Sequence, residues 1–107
     1  MATYQIHFKA NPALWPTGPK EKLAISEGVF QGADDLLAMG AMQEVCWVSA
    51  SERYARVEAN SAAGALAVCA MFFPMFRQEI QELVPWNVAK KRFLVRFGRR
   101  WNSNRLG

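Results

Sequence analysis

Six side chains in this sequence have the types needed to hold a small anion and move a proton on it: His7, Glu79, Arg56, Arg77, Tyr54 and Trp47. A histidine or carboxylate becomes a useful acid or base when burial or a charged neighbour tunes its proton affinity. A guanidinium grips a carboxylate through two parallel N–H donors. Tyrosine and tryptophan add flat apolar walls with one polar handle each. His7 and Glu79 are therefore the candidate acid–base groups. Arg56, Arg77, Tyr54 and Trp47 are the candidate substrate-binding set.

Strand alternation is what would bring these residues together. Tyr4-Gln5-Ile6-His7-Phe8-Lys9 alternates, with Tyr4, Ile6 and Phe8 on one face and His7 and Lys9 on the other. Arg53 to Ala59 does the same, so Ala55, Val57 and Ala59 oppose Tyr54, Arg56 and Glu58. Met75 to Leu83 sets Phe76 and Ile80 against Arg77 and Glu79. In Ala41 to Ser49 the pattern reads either way; the expectation adopted puts Gln43, Val45 and Trp47 with the polar set. The same face also reads as a solvated or mutually ion-paired surface between subunits.

The segments between the strands have helical spacing. Proline in Thr17-Gly18-Pro19 suits a first helical turn. From Pro19 to Met39, Ile25, Val29, Phe30, Ala33, Leu36 and Leu37 recur on one side, and Gly40 stands where a left-handed cap would end the helix. Asn60 or Ser61 would cap a second helix running to about Phe72, ended by Pro74. Ala50-Ser51-Glu52 is short enough to make a hairpin of the middle strands.

The order is therefore strand, helix, strand, strand, helix, strand. That is an α+β chain of ferredoxin-like βαββαβ type, with a four-stranded antiparallel sheet and two helices on one face. The other face would be bare in a single chain, and a second copy is its expected cover. Residues 1–86 form this domain. Residues 87–107 resume helical spacing through Trp86, Phe93, Leu94, Phe97 and Trp101, with Lys90, Lys91, Arg92, Arg96, Arg99 and Arg100 between them, which predicts a basic C-terminal helix.

Composition narrows the class. At 107 residues there is room for one domain, and 51% hydrophobic content argues against disorder. No apolar run is long enough for a transmembrane helix, and the opening residues lack the order of a secretory signal, so a cytoplasmic protein without membrane partners is expected. Cys46 and Cys69 each sit in apolar company and read as buried thiols. One histidine and no phosphate-cradling glycine loop give no reason to expect a metal or cofactor. The net charge of +4 is uneven: residues 1–86 carry six bases and nine acids, residues 87–107 seven bases and no acid.

With these residues in view, the chain resembles the muconolactone isomerase-like proteins of the dimeric α/β-barrel superfamily. The resemblance covers roughly Tyr4 to Trp86. It rests on His7-Phe8-Lys9, Trp47, Tyr54 and the run Phe72-Phe73-Pro74-Met75-Phe76. It implies a small homodimer or larger homo-oligomer with a pocket between sheet and helices. It also implies movement of a proton within an unsaturated lactone carboxylate, for which His7, Glu79, Arg56 and Arg77 would supply acid–base and anion-binding groups. Two features depart from the family: Met42-Gln43-Glu44-Val45-Cys46-Trp47 lacks arginines beside its aromatics, and the extension after Trp86 is long. A non-catalytic binding or assembly module of the same fold is the alternative, with the tail used for oligomer contacts. Nucleic-acid binding by the tail is less economical, because its aromatic stripe calls for burial.

Overall fold

The computed structural model describes residues 1–106, with side chains for residues 1–96. The side chains of Phe97, Arg99, Arg100 and Trp101, which belong to the expected tail pattern, lie outside that set.

Strands β1 (Ala2–Ala10), β2 (Glu44–Ser49), β3 (Glu52–Ala59) and β4 (Phe76–Leu83) form one antiparallel sheet in the order β2-β3-β1-β4. Helices α1 (Pro19–Ala38) and α2 (Ala62–Val68) connect them, and α3 (Trp86–Leu106) follows β4. This α+β arrangement fits the ferredoxin-like order. Among the described residues no helix is long and apolar enough to cross a membrane.

Strands β1, β3 and β4 segregate as their alternation predicts. Tyr4, Ile6, Phe8 and Ala10 of β1, Ala55 and Val57 of β3 and Phe76 of β4 are buried with Ala33 and Leu36 of α1 and Ala65 of α2. Burial of each large side chain here stabilises by roughly 1.5–3 kcal/mol relative to exposure. Phe8 meets Phe72 edge-on at 5.5 Å, and Trp15 meets Phe76 at 5.6 Å between ring centres.

The helix ends follow local chemistry. Pro19 opens α1. Gly40, at φ +74°, closes it in the left-handed region, which lets the Ala41 N–H turn back to the Leu36 carbonyl at 2.9 Å. The Ser61 hydroxyl accepts from the Gly64 N–H at 3.0 Å, capping α2. The second helix is shorter than its spacing suggests. It stops at Val68 and tightens into a 3-10 turn, Ala70–Phe72. The Gln78 side chain donates to the Cys69 carbonyl at 2.9 Å, satisfying a backbone group at that break.

Candidate functional site

Pairing register fixes what shares the sheet face away from the helices. In β1, His7 lies opposite Tyr54 on one side and Glu79 on the other; Gln5 lies opposite Arg56, and Lys9 opposite Arg77. Residues opposite one another in a ladder project to the same face, so His7, Tyr54, Glu79, Arg56 and Arg77 do share a surface. The His7 ring stacks on Tyr54 at 4.4 Å with an interplanar angle of 10°. His7 Nε2 approaches Glu52 Oε1 at 3.0 Å, yet that buried nitrogen has no aligned hydrogen-bond partner. The two groups are therefore in contact without the geometry of an N–H···O bond.

Arg56 is less available than its type suggests. Arg56 Nη2 sits 2.7 Å from Glu44 Oε2, and both side chains are about half exposed. An ion pair so solvated contributes ~1 kcal/mol or less, but it occupies the guanidinium fork. Arg77 and Glu79 are exposed to solvent. Cys46, expected to be buried, is instead exposed on this face, because its register partner is Tyr54. Its Sγ lies 3.0 Å from Glu44 Oε1, and that hydrogen bond to the carboxylate is the main reason the thiol is held above its ordinary proton affinity.

Trp47 requires a correction. It belongs not to the polar face but to the helix side, and Val45 goes with it. Register decides this: Val45 lies opposite Ala55 and Trp47 opposite Arg53, and Ala55 and Arg53 are buried on the helix side. The Trp47 ring lies 5.7 Å from that of Phe30 on α1 and remains 57% exposed at the rim.

Arg53 is the residue that pattern reading passes over. It opens β3 as the first helix-side residue and is only 5% exposed, the one buried charged side chain among the described residues. Its guanidinium carbon lies 5.1 Å from the ring centre of Trp47, 5.3 Å from Phe76 and 5.6 Å from Phe30. Nη2 donates to the Ala50 carbonyl at 3.2 Å, while buried Nε has no partner. Among the described residues no carboxylate pairs with it. Burial pushes its proton affinity below the ordinary arginine value, the signature of a desolvated cation.

Space adjoins this group. A cavity of about 10 Å³, room for one water, is lined by Arg53 with Phe8, Val29, Met42, Phe72 and Phe76. A cleft of about 200 Å³ shares Ala33, Val45 and Arg53 with it and opens past Phe30, Asp34 and Trp47. In the cleft two aromatic rings, Phe30 and Trp47, and one under-coordinated guanidinium can receive a flat anion edge-on. Among the described residues no cluster of three or more metal-ligating side chains forms.

The two groups of residues lie on opposite faces of one sheet, so within one chain His7 and Glu79 do not reach what Arg53 holds. A sequence signal for Arg53 did exist. Arg53-Tyr54-Ala55-Arg56-Val57 places an arginine in phase with Ala55 and Val57, a charge on the apolar side of an otherwise clean alternation. No protein-family model matches this chain, and no curated protein matches its sequence.

Proposed function

We propose that this chain binds a small anionic ligand, of the size of an aromatic or unsaturated carboxylate, between α1 and the sheet, with Arg53 as its charge partner. The supporting observation is the guanidinium itself: buried, ringed by Phe30, Trp47 and Phe76, and short of a partner at Nε. A buried cation without a counter-charge is costly, and a carboxylate entering from the cleft offsets that cost through a charge-assisted, two-pronged hydrogen bond. The cleft's modest volume limits the ligand to few heavy atoms. The position between sheet and helices agrees with the resemblance to the dimeric α/β-barrel proteins. In this reading two copies pair through the uncovered sheet face, and the chain works in the cytoplasm.

A second reading keeps catalysis on the uncovered face, as a muconolactone isomerase-like proton transfer by His7 with Glu79. The ladder pairing of His7 with Glu79, beside the stacked Tyr54 ring, favours it. It requires the paired copy to enclose the substrate.

Calorimetric titration of benzoate into the parent chain and into Arg53→Leu tests the first reading. Saturable binding to the parent, lost in Arg53→Leu and retained in Arg56→Ala, is expected. Equal binding to parent and Arg53→Leu overturns it.

A further inference from the structure

Helix α1 carries a charge where its spacing calls for an apolar residue. Phe30, Ala33 and Leu37 fall on one stripe of the helix, and Asp34 falls on the same stripe. All four line the cleft of about 200 Å³ that also holds Trp47 and Arg53. Asp35, the next residue, does not line it, and its carboxylate instead accepts from the Gln31 side chain at 2.8 Å. Asp34 is therefore the one carboxylate among the described residues of the cleft.

Two opposite charges thus share one cleft at different depths. Arg53 is buried in it, while Asp34 is exposed at its mouth. They do not neutralise one another. The ion pairs among the described residues join His7 to Glu52 and Arg56 to Glu44. The aromatic wall of the same cleft is Phe30 and Trp47, whose ring centres lie 5.7 Å apart. A ligand entering here meets an acceptor at the rim, flat apolar surface, and a donor fork inside.

We propose that the ligand is amphoteric: a small ring compound with a carboxylate for Arg53 and a cationic nitrogen for Asp34. This rests on Arg53 as the anion partner and adds the substrate class. The buried guanidinium takes the carboxylate through its N–H donors, and this contact supplies most of the affinity. The nitrogen cation meets Asp34 at the solvent edge, where attraction is screened and modest. A second carboxylate at that end would meet Asp34 as a like charge, so simple dicarboxylates are disfavoured. Asp34 is in this way a specificity-determining residue.

Calorimetric titration of the full-length chain tests it, with meta- and para-(aminomethyl)benzoate against meta- and para-methylbenzoate. At low salt at least one aminomethyl isomer is expected to bind about fivefold tighter than its methyl counterpart. That ratio should fall toward one in Asp34→Asn, and also at high salt in the parent. Asp35→Asn, which removes the same charge one residue outside the cleft, should keep the ratio. Aminomethylbenzoates that bind the parent no tighter than methylbenzoates overturn the proposal, as does a preference that Asp34→Asn retains. Methylbenzoate binding that Arg53→Leu abolishes leaves the Arg53 site standing even when the preference fails. Absent methylbenzoate binding, or equal binding by Arg53→Leu, overturns that site and this assignment with it.

Discussion

Arg53 stands directly opposite Trp47 in the β2–β3 ladder, and its guanidinium carbon lies 5.1 Å from the centre of the indole. This one pairing places the tryptophan on the helix side of the sheet and makes it a wall of the cleft that the arginine charges. The cation–π contact offsets part of the desolvation cost, on the order of 0.5–2 kcal/mol, but leaves Nε without an acceptor.

Arg53→Leu is therefore expected to be no less stable than the parent, within about 1 kcal/mol, or more stable, even as ligand binding disappears. Replacing a buried charge by an apolar group removes its desolvation penalty, which offsets the packing that the shorter leucine gives up. Urea unfolding measures this. A loss above about 3 kcal/mol would mean that the arginine serves the fold instead.

His7→Asn and Arg56→Ala act on the opposite face. Neither should change benzoate affinity by more than about twofold, and each should cost roughly 1 kcal/mol or less, because the contacts they lose are partly solvated. A tenfold loss of affinity in either variant would place the ligand on the sheet face with His7.

The Cys69 thiol gives a pH dependence of definite sign. Burial pushes it from the ordinary 9.0 up to about 12. A thiol whose proton is held more tightly in the folded state stabilises fully below pH 9 and loses that contribution as pH rises toward 12, by about 1.4 kcal/mol per unit. Urea unfolding from pH 8 to 11 should show a steeper decline in the parent than in Cys69→Ala. Parallel curves would contradict burial of this thiol.

Gly40→Ala should destabilise by about 1 kcal/mol, since φ +74° strains any residue with a Cβ, and Gly40→Asn should cost less. Thermal unfolding of the three chains checks the order parent, Asn, Ala.

The βαββαβ order was legible in the sequence because Tyr4, Ile6 and Phe8, or Ala55 and Val57, must go under the helices for a core to exist. The same rule assembled His7, Tyr54, Arg56, Arg77 and Glu79 on the outer face. It failed for β2, an edge strand that is mostly exposed, where Glu44, Cys46 and Trp47 carry no burial contrast to set the phase. There register alone decides the side, and register is a property of two strands. Arg53 was missed for a related reason. Charge in a strand reads as outward unless its neighbours in phase are weighed, and here Ala55 and Val57 carry it inward. The break after Val68 has no mark in the local spacing, because Ala65, Cys69 and Phe72 continue a helical stripe through it.

The most direct measurement is the NMR signal of the Arg53 side-chain Nε–H during titration with benzoate. The resonance should move downfield and saturate as the vacant donor gains a carboxylate oxygen, with no corresponding signal in Arg53→Leu. A signal that stays still while His7 or Arg56 resonances move would contradict the assignment of Arg53 as the anion-binding group.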